Sequence, residues 1–309
     1  KNNLTIVMYH YVRPIKISNY PKINGLELDG FKRQLDYLKS IYNFITAEQL
    51  ISYSKKKIEL PDKPCYLTFD DGFKDHLEFV LPELLSRNIQ GSFFPPSCAI
   101  ENREMLDVHS IQYIIACTTD SSKLVIDLDN ACLERGLNHE ELSLLKKKWA
   151  VAGRWDGNTD IRYIKSLLQH VLPSKIRTDI VSYLFKKHVN RDKYDFANDL
   201  YLSISDIKKL IGDGMHIGSH GYKHLWLNKI SKEEQVVEIE NSLNFLDKLG
   251  VSCKNWIMCY PSGAYNSETL KILKDKNCAI GLTDLPGIVN LGKDNFYELT
   301  RFDTNFFPQ

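Results

Sequence analysis

Among its 309 residues the chain has seven cysteines, and none of them forms a C-x-x-C pair. An odd number without that spacing argues against a disulfide framework or a cysteine-rich zinc knuckle, and predicts buried free thiols in a reducing compartment. Charge of one sign is lacking as well. Forty Lys and Arg face 39 Asp and Glu, a net of +1, so the broad basic field of a nucleic-acid binder is missing and no nucleic-acid partner is expected. No apolar run approaches the roughly 18 residues of a membrane span. The opening Lys1-Asn2-Asn3-Leu4 does not have the form of a signal peptide. These absences predict a cytoplasmic protein without a transmembrane segment. There is no internal repeat and no low-complexity tract, and nothing in the sequence fixes an oligomeric state. What remains is an ordinary globular composition, 43% hydrophobic and 26% charged. With so little net charge, function must rest on a few charged side chains in particular places.

The order of local patterns points to an α/β fold. Leu4 to Tyr9 is β-branched and apolar, the pattern of a buried strand. Phe31, Leu35, Leu38 and Ile41 then recur at helical spacing, and Thr46 with Gln49 forms a capping-box signature. Cys65 to Phe69 reads as a strand ending in Asp70-Asp71-Gly72, followed by a helix over 75–88 and a strand from Gly91. Strand, loop, helix and strand in this order predict a parallel sheet. Residues 99–203 change character: four helical patterns follow one another, with 15 basic and 15 acidic residues. This stretch is expected to be a helical insertion, either a solvated cap or a lid that shapes the substrate site. Alternation resumes with a helix capped by Ser205, a strand over 214–218, and a helix opened by Ser231 with Glu234 and closed by Gly250. Further strands are expected over 256–260 and 279–283, around a helix over 267–276. The expected domains are therefore a barrel of residues 1–98 and 204–309 and an insertion of 99–203.

Two short strings carry chemistry. Asp70 and Asp71 sit at the C-terminal end of a strand, the end that hosts sites in parallel α/β folds. One carboxylate there can bind a metal while its neighbour acts as a base; the alternative is a simple Asp-Asp-Gly turn. His220 and His224 form H-x-x-x-H after another Gly-flanked strand. Neutral imidazoles are common zinc ligands, and two histidines with one carboxylate leave coordination positions open. The alternative is two surface histidines.

Together these strings carry a resemblance. Tyr66-Leu-Thr-Phe-Asp-Asp-Gly72 resembles the first motif of the polysaccharide deacetylase family, carbohydrate esterase family four. Gly218-Ser-His-Gly-Tyr-Lys-His224 resembles its second motif and Cys259-Tyr-Pro-Ser-Gly-Ala-Tyr-Asn266 its third. Val7-Met-Tyr-His10, Phe93-Phe-Pro and Leu299-Thr-Arg-Phe-Asp303 agree as flanks. The resemblance covers about 1–98 and 204–304. It implies a distorted (β/α) barrel of about seven parallel strands that removes acetyl groups from N-acetylated sugars by hydrolysis. It also implies Asp71, His220 and His224 as metal ligands and Asp70 as catalytic base. Zn2+ is the first expectation for the metal, with Co2+, Ni2+ or Mn2+ able to use the same ligands. The metal would polarise the acetyl carbonyl and lower the pKa of the attacking water, and a backbone N–H at Ser262 would receive the oxyanion. Ser262, Tyr260, Tyr222 and Trp226 are the candidate oxyanion and substrate contacts.

The sequence departs from the family at three points. Many members carry a C-terminal histidine as general acid, and no histidine follows His224. The resemblance is instead to a circularly permuted branch in which the His of an N-terminal Tyr-His pair does this work, which makes His10 the candidate acid. Most members have Tyr at the position of Ser262. Many have Arg at the position of Cys259, to orient the base, and Arg301 is the candidate replacement. Cys259 itself reads as structural rather than nucleophilic. Asp107 and His109 are a weaker candidate for a second polar cluster, against a surface location. The expected partner is an acetylated carbohydrate in a glycan, a glycolipid or an activated sugar precursor. The rival expectations are a catalytically impaired carbohydrate binder on the same fold, or an O-acetyl esterase or non-sugar amide hydrolase.

Overall fold

Two long strands, buried almost throughout, set the architecture. The computed structural model describes residues 3–152 and 157–309. Strand β1 (Asn3–Tyr9) runs parallel to β5 (Pro64–Asp70), with Thr5 to Tyr9 paired against Cys65 to Phe69. Three short strands lie between them in sequence: β2 (Val12–Arg13), β3 (Leu26–Glu27) and β4 (Asn43–Phe44). Beyond β5 the sheet continues in parallel through β6 (Ser92–Phe94) to β7 (His216–Ile217). A parallel bridge from Ser219 to Met258 carries it to β8 (Trp256–Cys259), which pairs with β9 (Cys278–Leu282). Leu282 bridges in parallel to Leu299, and β11 (Phe302–Asp303) returns to β1 at Val7 and Met8. The circuit β1, β5, β6, β7, β8, β9, β11 is thus a closed, irregular barrel of seven parallel strands. The antiparallel β10 (Val289–Asn290) covers the start of β1.

The side chains of successive strand residues face opposite sides of the sheet, and the core follows that rule. On β8, Ile257 and Cys259 join one apolar cluster with Leu4, Ile6, Tyr66, Ile280 and Leu282. Trp256 and Met258 join another, with Ile239, Ile272 and Leu273. The latter three come from α12 (Lys232–Lys248) and α13 (Ser267–Asp275). Gly218 is required at the end of β7, because a Cβ there would fall 2.4 Å from the Phe94 ring and 2.8 Å from the Ile257 carbonyl oxygen.

The chain divides into two compact units. The first is Lys1–Pro14, Gly25–Glu104 and Ala197–Gln309, and it contains the barrel. Its remaining helices are α1 (Leu28–Ile41), α2 (Ala47–Ser54), α3 (Leu81–Ser86), α4 (Ser97–Glu101) and α11 (Ile204–Gly212). The second is Ile15–Asn24 and Met105–Phe196. It is helical: α5 (Asp107–Cys117), α6 (Ser121–Leu133), α7 (His139–Trp149), α8 (Thr159–Ser166) and α9 (Ser174–His188), followed by α10 (Lys193–Leu200), which runs across the boundary.

The capping boxes at Thr46 and Ser231 form as expected, each with reciprocal hydrogen bonds. Two local expectations need correction. The cap of α11 is Ser203, not Ser205, because Asp206 stands three residues after Ser203 and closes the box with it. The helix expected over 75–88 opens with a wider π turn over His76–Val80 before α3. Each of the seven cysteines is free, five of them buried. Among the described residues no helix is long and apolar enough to cross a membrane.

Candidate active site

The site forms where the barrel strands end. Tyr66, Thr68 and Asp70 alternate along β5 and therefore share a face. Tyr66 lies in the same core cluster as Cys259, so Asp70 arrives at the inner mouth of the barrel, 2% exposed. Arg301, just before β11, meets it there. Its Nη1 and Nη2 donate to Asp70 Oδ1 and Oδ2, both at 2.8 Å. Nη1 also donates to Thr68 Oγ1 at 3.1 Å, and Nε to the Thr283 carbonyl at 2.7 Å. This fork geometry is what a guanidinium offers a carboxylate. Burial by itself would raise the Asp70 carboxyl, but the Arg301 guanidinium outweighs it and brings the pKa down to about 2. Asp70 is therefore an anion at neutral pH, fixed in direction. The Cys259 thiol donates to Asp70 Oδ2 at 3.4 Å. Burial pushes that thiol up, so it stays protonated and is no nucleophile.

Asp71 turns the other way. Its backbone is in the left-handed region at φ 77°, held by an N–H bond to the Phe94 carbonyl at 3.1 Å. Non-glycine residues seldom adopt this conformation, and it persists where surrounding contacts fix it. Asp71 Oδ1 lies 3.3 Å from His220 Nε2 and 3.5 Å from His224 Nε2. His220 Nδ1 lies 2.8 Å from the Cys259 carbonyl. That bond assigns the Nδ1 position to N–H and leaves the Nε2 lone pair of the neutral ring facing Asp71. Burial opposes charge on the His220 ring, but the Asp71 and Asp70 carboxylates outweigh it and hold its pKa well above the ordinary imidazole value.

Among the described residues two sets of ligand atoms lie close enough to hold a metal: Asp71, His220 and His224, and Asp70, His220 and Cys259. The first fits a divalent cation, with two imidazole nitrogens and one carboxylate oxygen converging. The second fits poorly, because Arg301 occupies both Asp70 oxygens and the Cys259 sulfur keeps its proton.

The structure places the remaining candidates as follows. His10, at the end of β1, has Nε2 3.8 Å from Asp70 Oδ2, and its side chain is 38% exposed. It thus faces both Asp70 and solvent. Ser262 is exposed in a tight turn at φ 52°. Tyr222 and Trp226 are half-buried on the loop that carries His220 and His224. Tyr260 does not face the site with its side chain: it is 1% exposed, stacks on Tyr265 and donates its hydroxyl to the Tyr297 carbonyl at 2.7 Å. Asp107 and His109 belong to the second unit. Asp107 accepts from Thr178 Oγ1 at 2.8 Å, and His109 is buried in α5.

Several residues around the site went unremarked in the sequence. Thr68 is one, and the alternation Tyr66, Thr68, Asp70 was the signal for it. Asp75 and His76 are two more, only four and five positions after Asp71. Asp75 Oδ2 accepts from the Val12 N–H at 3.2 Å and from Arg13 Nε at 2.7 Å. His76 Nε2 donates to the His10 carbonyl at 2.9 Å. Burial lowers the His76 pKa to about 4, so the ring stays neutral. These bonds tie the His10 segment to the residues that follow Asp71.

Comparisons with known proteins meet this geometry. Residues 174–280 match the sequence model of the family described as Polysaccharide deacetylase, a span that takes in His220, His224 and Cys259 to Asn266. YxkH of Bacillus subtilis (strain 168), a protein named as a polysaccharide deacetylase, is 32% identical over 87 residues, 28% of this chain. The match spans about a third of that relative's length, 31%. Among solved structures, the Streptococcus pyogenes deacetylase PplD in complex with acetate aligns with a TM-score of 0.59 at 18% identity, over 97% of this chain and 92% of its own. IcaB from Ammonifex degensii aligns with a TM-score of 0.58 at 17% identity, over 97% and 91%. A de-N-acetylase from Aggregatibacter actinomycetemcomitans aligns with a TM-score of 0.57 at 15% identity, over 98% and 95%. At these identities the structural likeness concerns the fold.

Proposed function

Because the chain belongs to the polysaccharide deacetylase family, we propose that it hydrolyses acetyl groups from an acetylated carbohydrate. The substrate we favour is an acetamido sugar in a glycan, a glycolipid or an activated sugar precursor. The observation that carries this reading is the convergence of Asp71, His220 and His224 beside an Asp70 carboxylate gripped by Arg301.

Asp71, His220 and His224 would hold a divalent cation, Zn2+ first and Co2+, Ni2+ or Mn2+ next. Such a cation, once bound, polarises the acetyl carbonyl and makes water a stronger acid. Asp70 accepts the proton of the attacking water at a carboxylate oxygen. Arg301 keeps that carboxylate ionised and aimed, and touches no reacting atom itself. His10 gives a proton to the leaving nitrogen, from the open side of Asp70. The Ser262 backbone N–H donates to the oxyanion in its tight turn. Tyr222 and Trp226 offer ring surface to the sugar. Tyr260 remains a core residue. With His10 in the acid role, we also assign the chain to the circularly permuted branch. The helical residues between the two stretches of barrel sequence we assign to shaping substrate access.

The test is acetate release from N-acetylglucosamine oligomers and from O-acetylated sugars, before and after chelation, with metal content verified. Acetate released from the acetamido substrate, lost on chelation and restored by Zn2+, supports the reading. Undiminished turnover by verified metal-free protein overturns the mechanism. Release from O-acetyl substrates alone points to an esterase. Sugar binding by metal-loaded protein without release points to a carbohydrate binder.

A further inference from the structure

One face of α12 breaks the rule that a core-facing helical stripe is apolar. Gln235, Glu238 and Ser242 succeed one another at spacings of three and four, so they share a face, and all are buried, at 1%, 4% and 0% exposure. Two of them hold the segment that carries the histidines. Ser242 Oγ lies 2.5 Å from the hydroxyl of Ser219, the residue before His220. Glu238 Oε1 accepts the Lys223 N–H at 2.5 Å and the Leu225 N–H at 3.5 Å, and these residues flank His224. The Ser219 hydroxyl in turn accepts the Gly221 N–H at 3.2 Å.

The segment needs such fixing. Gly221 sits at φ 73° and His224 at φ 59°, both in the left-handed region. A Cβ on Gly221 would lie 3.1 Å from Glu238 Oε1 and 3.4 Å from Pro261 Cγ, so the carboxylate approaches the backbone as closely as only glycine permits. A buried carboxylate is costly unless hydrogen-bonded. Here its hydrogen bonds go to the backbone on either side of His224. Removing it would leave those N–H groups without their acceptor and His224 free to leave its strained conformation.

We propose that Glu238, with Ser242 beside it, is a positioning residue for the cation site: it touches no ligand and fixes the loop on which His220 and His224 converge with Asp71. This inference rests on the assignment of those three residues as metal ligands. Outer partners of metal ligands change affinity by about 10- to 100-fold when removed, and Glu238 acts one step further out, through the backbone.

The experiment is Zn2+ titration of the metal-free full chain by calorimetry, beside its thermal unfolding. Wild type is expected to bind Zn2+ and His224→Ala to lose most of that affinity. Glu238→Ala is expected to weaken Zn2+ binding by about 10-fold or more, with little change in melting temperature of the metal-free protein. Glu238→Gln, which keeps Oε1 as an acceptor, should restore binding to within about threefold of wild type. A merely structural role would lower the melting temperature and leave affinity alone. If Glu238→Ala does not fold, Glu238→Asp takes its place, since it keeps the charge and draws the oxygen back by one methylene; the same loss is expected. Wild-type affinity in a folded Glu238→Ala or Glu238→Asp overturns the inference while leaving the metal-ligand assignment intact. If wild type binds no cation, that assignment fails and the inference falls with it.

Discussion

The two units of this protein treat charge in opposite ways. In the barrel unit Asp70, Asp71, Asp75, His76, His220, Glu238 and Arg301 are all buried. Among the described residues of the helical unit the buried polar side chains are His109, Ser110 and Ser166, and none of these is a carboxylate or a guanidinium. Its carboxylates and cations meet nearer the surface, as in Arg135 with Asp179 and Lys187 with Asp127. Burying an ion costs several kcal/mol before any partner is counted. A fold that does so repeatedly in one unit, around a shared set of strand ends, is organised for chemistry there. The balanced charge of the helical unit contributes solubility and local pairing, and its stability comes from apolar faces such as Leu124, Leu128, Leu168 and Leu184.

This contrast can be tested. The largest effect belongs to Asp70. Asp70→Asn keeps the side-chain shape but removes the proton acceptor, and should lower acetate release by about 10²- to 10⁴-fold, with bound Zn2+ unchanged by elemental analysis. Normal turnover in this variant would remove Asp70 from the role of base.

Next is Arg301. Arg301→Met leaves the Asp70 carboxyl buried without its partner and should cost about 3–5 kcal/mol of unfolding free energy in the metal-free protein. The effect depends on pH in a definite direction. Because Arg301 holds Asp70 at about 2 in the folded state, below the ordinary carboxylate value, the unfolded chain binds the extra proton between those values. The stabilisation is therefore fully present above the ordinary value and is lost as pH falls through about 2. Chemical unfolding across the acid range should show the gap between wild type and Arg301→Met narrowing toward low pH. A gap independent of pH would mean that the pair contributes packing only.

A smaller effect concerns the ligands. Since the His220 pKa lies well above the ordinary imidazole value, a cation binding there displaces a proton. Zn2+ affinity should fall from mildly alkaline to mildly acid pH, and calorimetry in buffers of different ionisation heat should report proton release. No release would place the cation elsewhere. The smallest effect is expected in the helical unit. Arg135→Gln removes the pair with Asp179, 65% exposed, and should change stability by no more than about 1 kcal/mol with acetate release unaltered. A large loss of stability there would erase the contrast between the units.

Much of this was legible in the linear sequence, because local chemistry suffices for it. The apolar run at Leu4 to Tyr9 and the strand ending at Asp70 are set by side-chain pattern. The capping boxes at Thr46 and Ser231 are set by residues three positions apart. Asp71, His220 and His224 could be named together since each lies in a short string with its own spacing. What the linear order does not hold is which distant groups meet. Arg301 was named through the resemblance as the residue to orient Asp70, but only the fold shows how it gets there from 231 positions away, as β11 closes the barrel against β1. Tyr260 reads as a site residue from its string, yet the pleat of β8 continues through it toward the core, where Tyr297 takes its hydroxyl. Glu238 has no signal at all in a helix of ordinary composition, and only packing shows that its carboxylate ends on the histidine loop. Sequence by itself determined the elements and the donor types, since these depend on neighbours along the chain. Tertiary structure decided how Arg301 grips Asp70, which way Asp71 turns and what holds the histidine loop, since these depend on burial and on the direction each strand end gives its side chain.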